Sequence, residues 1–189
     1  MPLNWPNLIT LSRITLIPLL IGIYYVPDTW ISEQGKNIIA TALFIFAGIT
    51  DWLDGYLARR LNQMSAFGAF LDPVADKLIV VGALLVLLHL QRVDMIVAMI
   101  IVGREIAISA LREWMAKVGQ GKSLAVASIG KLKTTAQMVA IPLLLFNDPL
   151  FALDCQWLGT ILINVAAVLT VVSMLYYLRK ALPYASLGS

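Results

Sequence analysis

Between Asp51 and Asp76 the chain reads DWLDGYLARRLNQMSAFGAFLDPVAD, a stretch with four aspartates, two arginines and two glycines between apolar flanks. On a helix, Asp51, Asp54, Gly55 and Ala58 fall at offsets of three, four and seven and share one face. Gly68, Asp72 and Asp76 do the same on a second helix, and the run from Arg60 to Phe67 is long enough to turn the chain back between them. Two acidic pairs then face each other, with small residues keeping the space between them open. Crowded ionised carboxylates repel in a low-dielectric setting and must take up protons or share cations. No Cys or His stands nearby, so an oxygen-only ligand set of Asp51, Asp54, Asp72 and Asp76 favours Mg²⁺, Mn²⁺ or Ca²⁺. Two such ions beside Arg59 suit chemistry on a phosphate or pyrophosphate. The plainer alternative is a set of structural ion pairs, which the cost of charge inside a membrane makes the weaker reading.

A second constellation follows. Arg104, Ile108 and Arg112 are spaced at four, with Glu105 beside that face and Glu113 next to Arg112. The run Gly130-Lys131-Leu132-Lys133-Thr134-Thr135-x-Gln137 then adds two cations. Arg104, Arg112, Lys131 and Lys133 at the depth of the aspartates predict an anion site beside the metal site, since arginine forks and lysine point charges both hold phosphate. Glu105 and Glu113 are expected to orient these cations rather than to catalyse. The competing account has the glutamates neutralising the arginines while the lysines reach for lipid headgroups. Gly119-Gln120-Gly121-Lys122-Ser123 ends like a phosphate loop, but Ala116 takes the first glycine's place and no strand precedes it, so a linker is expected.

The elements that must carry these residues are membrane helices. The 189 residues are 60% hydrophobic and 13% charged, with a mean hydropathy of +0.84, whereas a soluble domain is nearer half apolar and a quarter charged. A span needs about 20 apolar residues, so six spans and short loops use the whole length as one domain, residues 1–189. The expected spans run from about Asn7 to Val26, Lys36 to Leu61, Ala69 to Leu90, Met95 to Lys117, Leu124 to Phe146 and Trp157 to Leu178. Pro73 is expected in a first helical turn, Cys155 in a short loop without a disulfide partner, and His89 at the end away from the acidic site. The start, MPLNWPNLIT, has no Lys or Arg ahead of its apolar run, so no removable leader is expected.

Charge sets the orientation. The loops Pro27–Lys36, Gln91–Asp94 and Asn147–Gln156 hold two of the fourteen Lys and Arg (Lys36, Arg92) against five acidic residues. The positive-inside rule therefore puts both termini and the acidic motif on the cytoplasmic side of the cell membrane. That distribution also explains a sequence pI near 9.1 better than nucleic-acid binding does.

The spacing Asp51-x2-Asp54-Gly55-x2-Ala58-Arg59-x8-Gly68-x3-Asp72-x3-Asp76 resembles the signature of the CDP-alcohol phosphotransferase family. The pattern Arg104-Glu105-x3-Ser109-x2-Arg112-Glu113 with the Gly-Lys-x-Lys-Thr run resembles the branch of that family that forms phosphatidylglycerol phosphate. The resemblance implies transfer of a phosphatidyl group from CDP-diacylglycerol to sn-glycerol 3-phosphate, releasing CMP, with Mg²⁺ or Mn²⁺, two ions, and a homodimer in the membrane. It further implies that Asp51, Gly55, Ala58, Arg59, Gly68 and Asp72 contact CDP. Asp76 would act as the base on the acceptor hydroxyl, and Arg104, Arg112, Lys131 and Lys133 would hold the acceptor phosphate. Asn4-Trp5-Pro6-Asn7-x2-Thr10-x2-Arg13 resembles the start of the same family's lipid-synthesising members, which makes Asn7, Thr10 and Arg13 candidate lipid or nucleotide contacts; helix capping explains the same residues. Two other readings stand beside this one. The first is a relative using another alcohol, such as inositol phosphate. The second is a divalent-cation carrier, for which no span outside the motif supplies further acidic groups.

Overall fold

Apolar runs broken by short polar turns fold as helices here because each helix satisfies its own backbone donors and acceptors while turning side chains toward its neighbours. The computed structural model describes residues 5–61, 66–119, 128–151 and 153–184, and within these the side chains of all but 5–9, 52, 54–61, 66–69 and 128–131. Six α-helices are described: α1 (Trp5–Gly22), α2 (Glu33–Leu61), α3 (Ala66–His89), α4 (Met95–Lys117), α5 (Ser128–Phe146) and α6 (Cys155–Ala181). A short 3-10 turn, Ile23–Tyr25, extends α1, and no strand occurs among the described residues. The expected spans map one to one onto these helices.

Most boundaries shift by a few residues from expectation, and two of the shifts move a residue that was given a place. Asp94 and Asp154 stand just before α4 and α6 and accept the amide protons of Ile96 (2.8 Å) and Trp157 (2.9 Å). Such caps satisfy amides that a helix start leaves open. With Asp154 as the cap, Cys155 is the first residue of α6 and is buried, not part of a loop. Likewise α3 begins at Ala66, so Pro73 lies two turns inside the helix rather than in its first turn.

Helix α5 packs along α6, α1 against α2 and α3, α4 against α6, and α2 against α5. The α5–α6 contact is close because α6 offers Gly159: a Cβ there would stand 2.8 Å from Leu144 Cγ. Ala40, Phe44, Leu84, Leu87, Ile101, Leu144 and Leu145 fill the centre of the bundle and are almost wholly buried. A smaller cluster, Ile108, Met115, Tyr177 and Ala181, joins α4 to α6.

Arg92, in the turn between α3 and α4, closes one end. It donates to Asn37 Oδ1 (3.0 Å), to the carbonyls of Leu144 (3.3 Å) and Leu145 (2.9 Å), and to Glu33 (3.3 Å). The start of α2 is thereby held against the end of α5, so these two helices run antiparallel.

Among the described residues one helical stretch, Cys155–Tyr184, is long and apolar enough by composition to cross a membrane, and Thr10–Tyr25 and Leu132–Phe146 are shorter apolar runs. The remaining long helices are interrupted by charge: Asp72, Asp76 and Lys77 in α3, and Arg104, Glu105, Arg112 and Glu113 in α4.

Candidate active site

Helix α1 supplies Thr10 and Arg13, three apart and on one face; α2 supplies Asp51; α3 supplies Asp72 and Asp76, one turn apart. The packing of α1 against α2 and α3 brings them together. Arg13, only 1% exposed, donates from Nη1 to Asp51 Oδ1 at 2.7 Å and from the same nitrogen to Asp76. Its Nη2 lies 3.7 Å from Asp72 Oδ1. The Thr10 hydroxyl donates to that Asp72 oxygen at 2.5 Å. One buried guanidinium thus ties three carboxylates from two helices, a geometry to which its rigid fork of donors is suited.

The acidic side chains are not sealed in: Asp51 is 50% exposed, and Asp72 and Asp76 are each 44% exposed. Three carboxylates around one guanidinium leave a local charge of −2, which a hard divalent cation with oxygen ligands would balance. The donor chemistry therefore fits the expected metal. Among the described residues no group of three His, Cys, Asp or Glu is arranged to hold a metal ion. The side chains of Asp54, Gly55, Ala58, Arg59, Gly68, Lys131 and Asn7, all expected in the site, lie outside the described residues.

Facing the aspartates is a basic wall from α4. Arg104 is buried; its Nη1 donates to Glu105 at 3.3 Å, and its Nε has no hydrogen-bond partner among the described residues. Arg112 is exposed and stands over the Tyr177 ring of α6, 6.0 Å from the centroid, within the range of a cation–π contact. Lys133 of α5 is 1% exposed and donates to Glu105. Glu113 turns away and pairs with Lys117 at 2.9 Å on the surface, so of the two glutamates expected to orient the cations only Glu105 touches them.

Both walls enclose one cavity of about 470 Å³. Asp51, Asp76 and Arg13 line one side, and Arg104, Glu105 and Arg112 line the other. Asp72 and Lys133 are not among the residues that line it: Asp72 is held by Thr10 and Arg13, and Lys133 by Glu105. The cavity also takes in Lys77, Gln137 and Tyr177. Lys77 was not singled out by spacing, although its place directly after Asp76 puts it about 100° around α3 from that aspartate, which here is toward the cavity. Gln137 follows Lys133 by four and was legible as part of that run. Tyr177 had no signal, since a tyrosine near a helix end reads as an interfacial anchor.

A negative and a positive wall across one small cavity can hold a diphosphate bridged by cations on one side and a second phosphate on the other. The comparison with known proteins agrees with that chemistry. Residues 3–172 match the model of the CDP-alcohol phosphatidyltransferase family. The chain is 48% identical over 184 residues, 96% of each chain, to the CDP-diacylglycerol–glycerol-3-phosphate 3-phosphatidyltransferases of Salmonella choleraesuis (strain SC-B67) and Escherichia coli (strain K12). A protein of the same description in Shigella flexneri serotype 5b (strain 8401) matches equally well. This chain belongs to the CDP-alcohol phosphatidyltransferase family.

Proposed function

We propose that this enzyme transfers the phosphatidyl group of CDP-diacylglycerol to sn-glycerol 3-phosphate, forming phosphatidylglycerol phosphate and CMP. The observation that carries the reading is the single cavity with Asp51 and Asp76 on one wall and buried Arg104 on the other. The relatives' shared description supplies the substrates.

Asp51, Asp54, Asp72 and Asp76 would hold two divalent cations, Mg²⁺ or Mn²⁺. When bound, these ions neutralise the diphosphate and the charge that builds on departing CMP. Arg13 orients Asp51 and Asp76 by its shared donors, and Thr10 fixes Asp72. Gly55, Ala58 and Gly68 leave room for the nucleotide, and Arg59 contacts its phosphates. On the opposite wall Arg104 and Arg112 receive the acceptor phosphate, and Lys131 is a further candidate for it. The unpartnered Nε of Arg104 supports this, because a buried guanidinium donor left without an acceptor is costly. Lys133 acts through Glu105 rather than by direct contact. Asp76, on the cavity wall, is the group positioned to take the proton of the attacking glycerol hydroxyl. No Ser, Cys or His occupies a fixed position of the acidic motif as a nucleophile, which supports direct transfer without a phosphatidyl-enzyme intermediate.

The six helices span the cell membrane, with both termini and the cavity facing the cytoplasm, as a single domain that pairs as a homodimer. Large apolar side chains exposed around the bundle, among them Phe46, Leu85, Met99, Ile106 and Val168, support a lipid surround. Apart from Glu113, which turns to the surface, the charges that interrupt α3 and α4 are those of the site itself, which is the expected exception to apolar spans. The deciding experiment measures CMP release from CDP-diacylglycerol by purified enzyme over several alcohol acceptors, with and without divalent metal. Release that requires both glycerol 3-phosphate and metal is expected. Turnover with inositol phosphate in preference would overturn the choice of acceptor, and metal-independent release would overturn the role of the aspartates.

A further inference from the structure

Among the described residues two carboxamide side chains are buried, Asn37 of α2 and Gln137 of α5. Asn37 is 3% exposed, and its oxygen accepts from Arg92 (3.0 Å) and from the Tyr24 hydroxyl (3.2 Å). Gln137 is 4% exposed, and no described residue hydrogen-bonds its carboxamide. Nor is that group sealed in the packing, as Arg104 Nε is: Gln137 lines the main cavity. An amide that loses water without gaining a partner is costly, and Leu or Met at this place on α5 would pack without that cost. A buried carboxamide left open toward a cavity is explained by a ligand that enters the cavity and pairs with it.

The position of Gln137 narrows the choice of ligand group. Lys133, one turn earlier on the same face of α5, reaches Glu105 beside Arg104, on the wall that takes the acceptor phosphate. Met138, the next residue, comes against Gly48 of α2, where an added Cβ would stand 3.2 Å from its Cε. Gln137 thus lies where α5 meets both walls, close to the level of Gly48, one turn before Asp51. Gly55 and Ala58, the positions expected to admit the nucleotide, lie on the other side of Asp51 along α2, about 10 Å or more from that level. The phosphates already have cations for partners. A carboxamide is neutral and both donates and accepts, which complements an alcohol hydroxyl that does the same. In glycerol 3-phosphate a terminal hydroxyl attacks and the arginines hold the phosphate, which leaves the middle hydroxyl for Gln137.

We propose that Gln137 hydrogen-bonds the non-reacting middle hydroxyl of glycerol 3-phosphate and makes the site selective for the phosphate of a vicinal diol over that of a simple alcohol. The inference rests on the phosphatidyl-transfer reading above and deepens it by giving the acceptor a specificity-determining residue. An acceptor without the middle hydroxyl leaves the amide buried and unpaired, and the site rejects it on that account.

The test compares kcat/KM for sn-glycerol 3-phosphate and for 3-hydroxypropyl phosphate, which lacks only the middle hydroxyl, with CDP-diacylglycerol saturating. Wild type is expected to prefer glycerol 3-phosphate by about a hundredfold or more. In Gln137→Leu that preference should shrink by about tenfold or more, through a loss on glycerol 3-phosphate with little change on the analogue. Should Gln137→Leu not accumulate as folded protein, Gln137→Met carries the same comparison. Where the analogue turns over too slowly to follow, its inhibition constant against glycerol 3-phosphate takes the place of its kcat/KM. A preference near one in wild type, or one that the substitution leaves unchanged in an active enzyme, overturns the assignment and leaves the transferase reading intact. A rise confined to the KM for CDP-diacylglycerol moves the amide to the donor and overturns the assignment as well. Absence of CMP release from CDP-diacylglycerol with glycerol 3-phosphate in wild type overturns the transferase reading, and the assignment with it.

Discussion

Lys133 of α5 donates to Glu105 of α4, which lines the cavity next to Arg104. Glu105 also accepts from Arg104, so one carboxylate sits between two buried cations and fixes where the arginine fork can point. Lys133→Ala removes the closer cation and lets Glu105 draw Arg104 away from the cavity. The KM for glycerol 3-phosphate should rise about tenfold, with a smaller effect on kcat, because binding of the acceptor is what is lost. Lys133→Arg should recover part of the affinity. A change confined to the KM for CDP-diacylglycerol would place the lysine in another role.

Asp72 and Asp76 lie one turn apart on α3, and each meets a donor from α1. Asp72→Asn and Asp76→Asn keep the shape and remove the charge, so folding should survive while turnover falls by about a thousandfold or more. Size-exclusion profiles and far-UV circular dichroism in detergent check the first half, and CMP release checks the second. Near-normal rates in both variants would remove these carboxylates from the chemistry.

Arg13→Gln leaves Asp51, Asp72 and Asp76 facing one another without their shared cation. Breaking a fully buried pair costs about 3–5 kcal/mol, and exposed pairs contribute about 1 kcal/mol or less. With a buried arginine and half-exposed partners, a loss of about 2 kcal/mol is expected in the absence of metal. Divalent cation should restore more of the melting temperature in this variant than in wild type, because it binds the folded carboxylates. Equal Mg²⁺-induced shifts in thermal melts of the two proteins would mean that the aspartates do not depend on Arg13 for compensation.

Arg92→Ala acts at the other end of the bundle. It unpairs Asn37 and the carbonyls of Leu144 and Leu145, where α2 and α5 meet the turn before α4. Stability should fall by about 2–3 kcal/mol, since hydrogen bonds from a charged donor are lost and buried acceptors are left open. The KM values for both substrates should stay within about twofold per folded molecule, as the site is remote in the network. A selective rise in either KM would show that this clamp reaches the cavity.

The helices were legible in the sequence because each is a long apolar run, and their boundaries moved where a side chain decided them. Asp154 drew Cys155 into α6, and Ala66 rather than Ala69 opened α3, which set Pro73 inside the helix. That Asp72 and Asp76 share a face was legible from their offset of four, while the side chain of Asp54 lies outside the described residues. Periodicity says which face of a helix a residue occupies, not which residue of another helix meets that face. For that reason Arg13 read equally well as part of a capped helix start, although it joins Asp51 and Asp76, 38 and 63 residues away. The same limit hid Lys77 and Tyr177, which line the cavity, and it left unseen that Lys133 meets Glu105.

The apolar plug of Ala40, Leu84, Leu87, Ile101, Leu144 and Leu145 has a bioenergetic meaning. Set in a bilayer, a chamber rich in carboxylates and arginines is half of an ion conduit. Beyond it the bundle is filled by hydrocarbon and fastened by Arg92, so water and ions that reach the aspartates have nowhere to go but back. In the proposed membrane setting, such a plug would let the enzyme keep a highly charged workshop without short-circuiting a gradient across the bilayer.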